Sequence, residues 1–184
     1  SGPEKESGEE EEDLDSIKKQ LAELAVSGVK YVVWSTDGLH AALLSKHNVT
    51  IVNKSLEQVS TLHETIRIKS AAWDDAGVLL YSTLNHIKYT LMNGDNGIVR
   101  TLEHTVYLVR VKGRTVYCLD RAAKPKLLTI DPTEYRFKLA LVRLDEGHRA
   151  ALGGAGHRHR PGMGEKGVER VHAVAQPALD VVDR

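Results

Sequence analysis

The 184-residue chain has equal numbers of positive and negative side chains, 25 Lys and Arg against 25 Asp and Glu. This balance gives no electrostatic basis for a nucleic acid partner. The single cysteine excludes an internal disulfide framework and favours a reducing compartment. The sequence contains no run of about eighteen apolar residues, the length that a membrane-spanning helix needs. The acidic start does not resemble a secretory signal.

The first 28 residues divide into two segments. Residues 1–13 are rich in Glu and poor in apolar residues, which predicts an acidic disordered tail. Residues 14–28 carry Leu14, Ile17, Leu21 and Leu24 at helical spacing and end near Gly28, a possible cap. We therefore predict a short amphipathic helix at residues 13–25. The alternative is a leading strand. Residues 21–26 come just before the first repeat described below, at the place where the last strand of a preceding blade would lie.

Two segments centred on tryptophan indicate an internal repeat. Trp34 and Trp73 lie 39 positions apart, and each is preceded by a β-branched residue followed by Lys and is followed by Gly four positions later. A third, weaker copy begins at Val106 and has Val111 where the tryptophan would stand. A period near 40 residues filled with short strands is typical of β-propeller blades.

Turn residues divide each repeat into short strands rich in β-branched residues and Tyr. The predicted strands are 29–34, 40–45, 49–52 and 58–63 in the first repeat, 68–73, 78–83, 86–91 and 98–102 in the second, and 106–111, 115–119 and 127–130 in the third. Gly, Asn and Asp separate the strands, as tight hairpins require. The prediction is an all-β partial propeller over residues 29–131, with three blades of which the third is incomplete.

The composition changes after residue 140. Residues 141–184 contain no Ile, Phe, Tyr, Trp, Ser, Thr or Asn, and they hold 7 of the 15 glycines. A stretch without Ile, Phe, Tyr or Trp and rich in Gly, Ala and Arg is poorly suited to form a core. We predict a mostly disordered tail over residues 147–184, and we hypothesise that this end is read from a non-native frame or an intron.

Few residues suggest chemistry, and each has a structural explanation. His157 and His159 offer two imidazoles without the further ligands that a zinc site needs. The glycines of residues 153–156 follow no strand and precede no Lys-Ser/Thr pair, so they do not form a phosphate loop. Cys118 lies within a predicted strand and is interpreted as a buried core residue rather than a nucleophile.

Carboxylates and tryptophans are also interpreted as structural. Asp74, Asp75 and Asp95 lie in predicted turns, where Asp accepts hydrogen bonds from backbone amides. Trp34 and Trp73 occupy equivalent places in two repeats, which predicts that both are buried packing residues rather than ligand-stacking groups. The sequence therefore predicts no catalytic residue, no metal site and no cofactor, and a protein that is not an enzyme.

Several strings of residues resemble the coatomer alpha subunit family. They are residues 30–35, 42–47, 63–70 with Trp73 and Asp74, 85–89, 94–102, 116–121 and 128–141. The resemblance covers roughly residues 20–142. It implies the closing blades of the second of two WD-repeat propellers, followed by the start of a helical solenoid. Residues 132–146 would be that helix start, with Asp131 or Thr133 as cap, Pro132 early and Glu134 in the first turn.

The family resemblance implies a structural subunit of a vesicle coat in protein transport between the Golgi and the endoplasmic reticulum. The implied partners are other coatomer subunits, with peripheral membrane association through the coat and no small-molecule substrate. The implied location is the cytoplasmic side of Golgi and coated-vesicle membranes. The family's first propeller, most of its second and its solenoid have no counterpart here, so we expect a fragment or a truncated gene model. No cargo-site residue carries over.

Two alternatives and one physical expectation remain open. The chain could be a generic WD-repeat adaptor for unrelated partners, or a hydrolase on a propeller scaffold, which would need convergent polar residues at one propeller mouth. Three blades leave two blade faces uncovered. We therefore expect the chain to be marginally stable alone and to associate.

Overall fold

A computed structural model describes residues 22–151 and 170–173, which form thirteen strands and one helix. The strands are β1 (Ala22–Ala25), β2 (Tyr31–Trp34), β3 (His40–Leu44), β4 (Asn48–Asn53), β5 (Gln58–His63), β6 (Ser70–Trp73), β7 (Leu79–Ser82), β8 (His86–Thr90), β9 (Asn96–Thr101), β10 (Tyr107–Lys112), β11 (Thr115–Leu119), β12 (Pro125–Thr129) and β13 (Arg170–Ala173); the helix is α1 (Thr133–Ala151).

Three antiparallel sheets follow one another along the chain. Blade 1 has the order β2-β3-β4-β5, blade 2 the order β6-β7-β8-β9, and blade 3 the order β10-β11-β12. Within each blade, every strand pairs with the next in sequence, and each predicted strand lies within two residues of an observed one. The predicted all-β fold, with two complete blades and an incomplete third, is confirmed.

The first hairpin of blades 1 and 2 depends on glycine. Gly38 and Gly77 have φ of 68° and 83°, the left-handed region that other residues enter at a cost. Each donates its amide to the carbonyl of the residue directly after the preceding strand, Gly38 to Ser35 O at 3.0 Å and Gly77 to Asp74 O at 3.4 Å. The same turn therefore closes the same hairpin in both repeats.

The hydrophobic core consists of three layers, because a blade is apolar on both faces. One layer joins blade 1 to blade 2, and it contains Trp73 with Leu79 and Tyr81 against Leu44 and Ile51. A second joins blade 2 to blade 3 and to α1. The third lies on the other face of blade 1, where β1 and the residues after it cover Ala41, Leu43, Val52 and Leu56.

The prediction of a helix at residues 13–25 is wrong where the structure describes this segment. Residues Ala22–Ala25 form β1, so the alternative of a leading strand holds there. Ala22 and Leu24 pack on blade 1, while Glu23 and Ala25 alternate to the exposed side. Tertiary packing of alternate residues overrides the helical spacing of the leucines.

Two short segments of residues 147–184, the stretch predicted to be a mostly disordered tail, have regular secondary structure. Helix α1 continues to Ala151, helped by residues of high helix propensity and by an Asp145–Arg149 ion pair at 2.9 Å one turn apart. Strand β13 pairs antiparallel with β1. The predictions for residues 1–21, 152–169 and 174–184 lie outside the described residues. Within the described ones, no helix is long and apolar enough to cross a membrane.

Candidate interaction surface

The residues considered for chemistry do not assemble a reactive centre in the described part of the chain. Cys118 is 2% exposed, its Sγ lies 3.4 Å from Lys126 O, and burial raises the pKa of its thiol, which disfavours the thiolate. No group of three or more His, Cys, Asp and Glu residues there could hold a metal ion. His157, His159 and the glycines of 153–156 lie outside the described residues.

Asp74 is a turn residue, as predicted. Its Oδ1 accepts hydrogen bonds from Ala76 N at 2.9 Å and Val78 N at 2.8 Å. Burial raises the pKa of the carboxyl, although these two amides act to lower it. Its Oδ2 and the Tyr135 hydroxyl are both buried without a hydrogen-bond partner of good geometry. Asp74 therefore holds the β6–β7 turn beneath α1.

Asp75 and Asp95 act differently from the prediction, because their side chains contact other elements. Asp75 Oδ1 accepts from Gly113 N of blade 3 at 3.4 Å and lies 3.7 Å from Arg136 Nη2 of α1. Asp95 Oδ1 lies 3.8 Å from Lys138 Nζ, also on α1. Sequence spacing could not show these contacts, since the partners are more than thirty positions away.

Helix α1 docks on blade 2 through an aromatic contact. Tyr135 is 1% exposed, and its ring centroid lies 5.5 Å from that of Tyr89. The Tyr89 hydroxyl donates to Glu134 Oε1 at 3.1 Å, and Lys138 Nζ lies 5.6 Å from the Tyr89 ring centroid. The opposite side of the helix is apolar and exposed at Phe137, Leu141 and Leu144.

Blades 1 and 2 are joined by Trp73. Its side chain is 4% exposed, and Nε1 donates to Val33 O of blade 1 at 2.8 Å. The prediction that Trp73 is a buried packing residue between blades is confirmed. The hydrogen bond satisfies the one polar atom of the indole, so burial carries no penalty for it.

A buried charged group joins the same two blades. Glu64 follows β5 and is 7% exposed; its Oε1 accepts from the Tyr81 hydroxyl at 2.6 Å and from Lys88 Nζ. Burial acts to raise the pKa of the Glu64 carboxyl. The hydrogen bonds from Lys88 and Tyr81 act to lower it and together outweigh burial, so the net shift of the pKa is downward. Nothing in the sequence marked this triad, because its members belong to three different segments.

The prediction that Trp34 is buried is wrong. Trp34 occupies the same last position of its strand as Trp73, yet it is 52% exposed. By alternation, Trp34 and Val32 share the face opposite Val33, towards the N-terminal side of blade 1. Among the described residues, β1 and the link after it cover Ala41 and Leu43 on this side but not Trp34.

Two apolar blade faces are consequently open in the described part of the chain. The N-terminal face carries Val32 and Trp34, 48% and 52% exposed. The C-terminal face carries Tyr117 and Leu127, which pair across β11 and β12 and are 41% and 67% exposed. Exposed apolar side chains of this kind can pack against a further blade or against another protein.

The first strand of blade 2, β6, contacts the first strands of both neighbouring blades, β2 and β10, and in each blade the strands follow one another in sequence order. Consecutive four-stranded antiparallel sheets arranged in this way define a β-propeller. Residues 15–120 match the family described as COPA/B second beta-propeller, and the chain belongs to that family.

Relatives from several eukaryotes carry the same name. The chain is 61% identical over 124 residues to coatomer subunit alpha of Saccharomyces cerevisiae, covering 67% of this chain and 10% of the relative. It is 58% identical over 128 residues to a putative coatomer subunit alpha of Schizosaccharomyces pombe, covering 70% and 11%. The chain thus spans about a tenth of the length of these curated relatives.

Solved structures give weaker similarities. A hydrazine synthase chain of Kuenenia stuttgartiensis matches with a TM-score of 0.42 at 12% identity, over 58% of this chain and 37% of that one. A chain from the S. cerevisiae complex of Dbp5 with Nup159 and Gle1 matches with a TM-score of 0.44 at 13% identity, over 61% and 39%. Scores at this level support no inference about function.

Proposed function

We propose that this chain is part of a structural subunit of the coatomer vesicle coat, which acts by protein–protein scaffolding in transport between the Golgi and the endoplasmic reticulum. Its partners are other coatomer subunits. It works on the cytoplasmic side of Golgi and coated-vesicle membranes, which it reaches through the coat rather than by spanning the bilayer. It performs no catalysis and binds no nucleic acid.

The observation that carries this proposal is the open N-terminal face. Trp73 shows how such a face is used, because the equivalent tryptophan of blade 2 is buried against the neighbouring blade and hydrogen-bonded to its backbone. Trp34 presents the same side chain to solvent. An apolar face that is open among the described residues can pack against a further blade or against another protein, and the relatives named coatomer subunit alpha supply the identity of the coat.

The two alternatives have less support. A hydrolase needs convergent polar groups with a reactive nucleophile, and the described residues bring none together around Cys118. A generic adaptor would use the same open faces, but its partners would be unrelated to the coat. The identity of 49% to 61% to coatomer alpha subunits of yeasts, plants and Dictyostelium favours the coat.

A binding experiment with purified coatomer subunits tests the proposal. The 184-residue chain is titrated against each recombinant subunit in turn, and the dissociation constant is measured. We expect binding to at least one subunit, weakened by about tenfold or more in Trp34→Glu or Leu127→Glu, because a charge would be buried in an apolar contact.

The matched control is Lys54→Gln in the exposed β4–β5 turn, which should bind like the unmodified chain. Binding to no coatomer subunit would contradict the proposal. Binding that both face variants leave unchanged would contradict the role of the two open faces.

A further inference from the structure

We propose that a cavity between blades 1 and 2 is a binding site for a small anion that carries clustered phosphate groups. The cavity has a volume of about 240 Å³ and is lined by four cationic side chains together with Tyr31 and Tyr107. The cations are Lys30, Lys46, Arg67 and Lys69. This inference concerns a ligand and is independent of the coat function proposed above.

Two of the cations are placed by the internal repeat. Lys30 directly precedes β2 and Lys69 directly precedes β6, 39 positions further on. The Lys30 amide donates to Leu44 O at 2.8 Å, and the Lys69 amide donates to Ser82 O at 2.8 Å. Each bond continues the first hairpin of its blade, so both lysines stand on ordered backbone where neighbouring first strands meet.

The other two cations come from a turn and a link that are tied together. Lys46 lies in the β3–β4 turn, and Arg67 lies in the segment between β5 and β6. Ile68 N donates to Lys46 O at 3.0 Å, and Glu64 N donates to His47 O at 2.6 Å. These backbone bonds hold the link against the turn, so the cavity does not depend on a loose loop.

The positive charge of this cavity is not compensated by the described residues. None of the four cations forms an ion pair with a carboxylate of the described residues, and no carboxylate lines the cavity. Glu64, which follows β5, already binds Lys88 and Tyr81. Four like charges around one small space repel one another unless an anion lies between them.

The side chains favour phosphate. An arginine fork can bind two phosphate oxygens at once, lysines act as point charges, and tyrosine hydroxyls can donate to further oxygens. The cavity has room for several phosphate groups on a small molecule but not for a folded peptide segment. The same chemistry is found in a free polyphosphate and in a phosphorylated lipid headgroup.

The test compares two probes on the full 184-residue chain. Sodium tripolyphosphate is titrated by calorimetry, and co-sedimentation is measured with phosphatidylcholine vesicles with and without phosphatidylinositol 4,5-bisphosphate. We expect binding that weakens with salt, and a loss of affinity of about tenfold or more in the double variant Lys46→Gln/Arg67→Gln, which removes two of the four charges.

Lys54→Gln with Lys124→Gln is the matched control, since it removes two exposed charges elsewhere and should leave affinity unchanged. Lys46 and Arg67 are exposed, so the variant should fold, which circular dichroism verifies. Binding of tripolyphosphate indicates a free ligand, and binding of phosphorylated vesicles alone indicates a headgroup; either supports the site. Equal affinity of both double variants, equal binding of a polyglutamate peptide, or no binding of either probe would overturn it.

Discussion

Trp34 and Trp73 have the same register position and opposite environments, so they form a natural pair for mutagenesis. Trp73→Ala should lower the free energy of unfolding by about 3–5 kcal/mol, because it empties a packed space between two blades. Trp34→Ala should cost under about 1 kcal/mol, because half of its side chain is already in water. Urea denaturation of the two variants measures both values. Equal losses would mean that the N-terminal face is covered in solution.

Gly97 is required because a ring lies over it. A Cβ at this position would lie 2.7 Å from Tyr89 Cε1, and Tyr89 is itself packed against Tyr135. Gly97→Ala should therefore destabilise the protein by about 1–3 kcal/mol.

Gly147→Ala is the control for this substitution, because Gly147 lies within α1 with nothing within 4 Å of a new Cβ. It should stabilise the helix by about 0.5–1 kcal/mol. Thermal unfolding followed by circular dichroism distinguishes the two variants, and a destabilised Gly147→Ala together with a neutral Gly97→Ala would contradict the packing described.

Glu64 should make stability depend on acidity. The pKa of its carboxyl in the folded protein lies below the ordinary value of 4.5, so its stabilisation is complete above pH 4.5 and is lost as the pH falls through the folded pKa. Glu64→Gln should cost about 2–3 kcal/mol at pH 7, since it leaves Lys88 without its partner. The difference in unfolding free energy between the two proteins should shrink on acidification, and a difference constant from pH 7 to pH 3 would contradict the ion pair.

At the scale of elements, the hairpins were predictable and the contacts between them were not. Runs of β-branched residues ending in Gly or Asp located the strands of all three blades, because those signals are local. The Glu64 triad and the contacts of Asp75 and Asp95 with other elements depend on side chains distant in sequence. The equivalent positions of Trp34 and Trp73 in the repeat predicted equal burial. This prediction failed because the burial of a blade residue depends on what packs beside the blade.

The first turn of α1 holds the helix on blade 2. Tyr135→Ala should destabilise the protein by about 3–5 kcal/mol, because it removes a fully buried ring in contact with Tyr89. Tyr135→Phe should change stability by less than about 1 kcal/mol, since the hydroxyl that it removes makes no well-formed hydrogen bond. Urea denaturation checks both, and equal costs would show that the hydroxyl, not the ring, anchors the helix.

At the scale of the whole molecule, the two open faces should make the chain associate. Sedimentation velocity of the 184-residue chain should show larger species as concentration rises, because apolar blade faces gain by being covered. Trp34→Glu combined with Leu127→Glu should shift the distribution towards monomer, whereas Lys54→Gln should not. A monodisperse monomer with a cooperative unfolding transition would contradict this expectation.

The contrast between Trp34 and Trp73 also gives the molecule two optical reporters, since the chain has 2 tryptophans in all. Trp73, enclosed and hydrogen-bonded to Val33 O, should emit at short wavelength and resist quenching by iodide. Trp34, open to water, should emit at longer wavelength and be quenched readily. A partner that covers the N-terminal face would then protect the red-shifted component alone, so that docking and separation of the blades can be followed independently in one unlabelled sample.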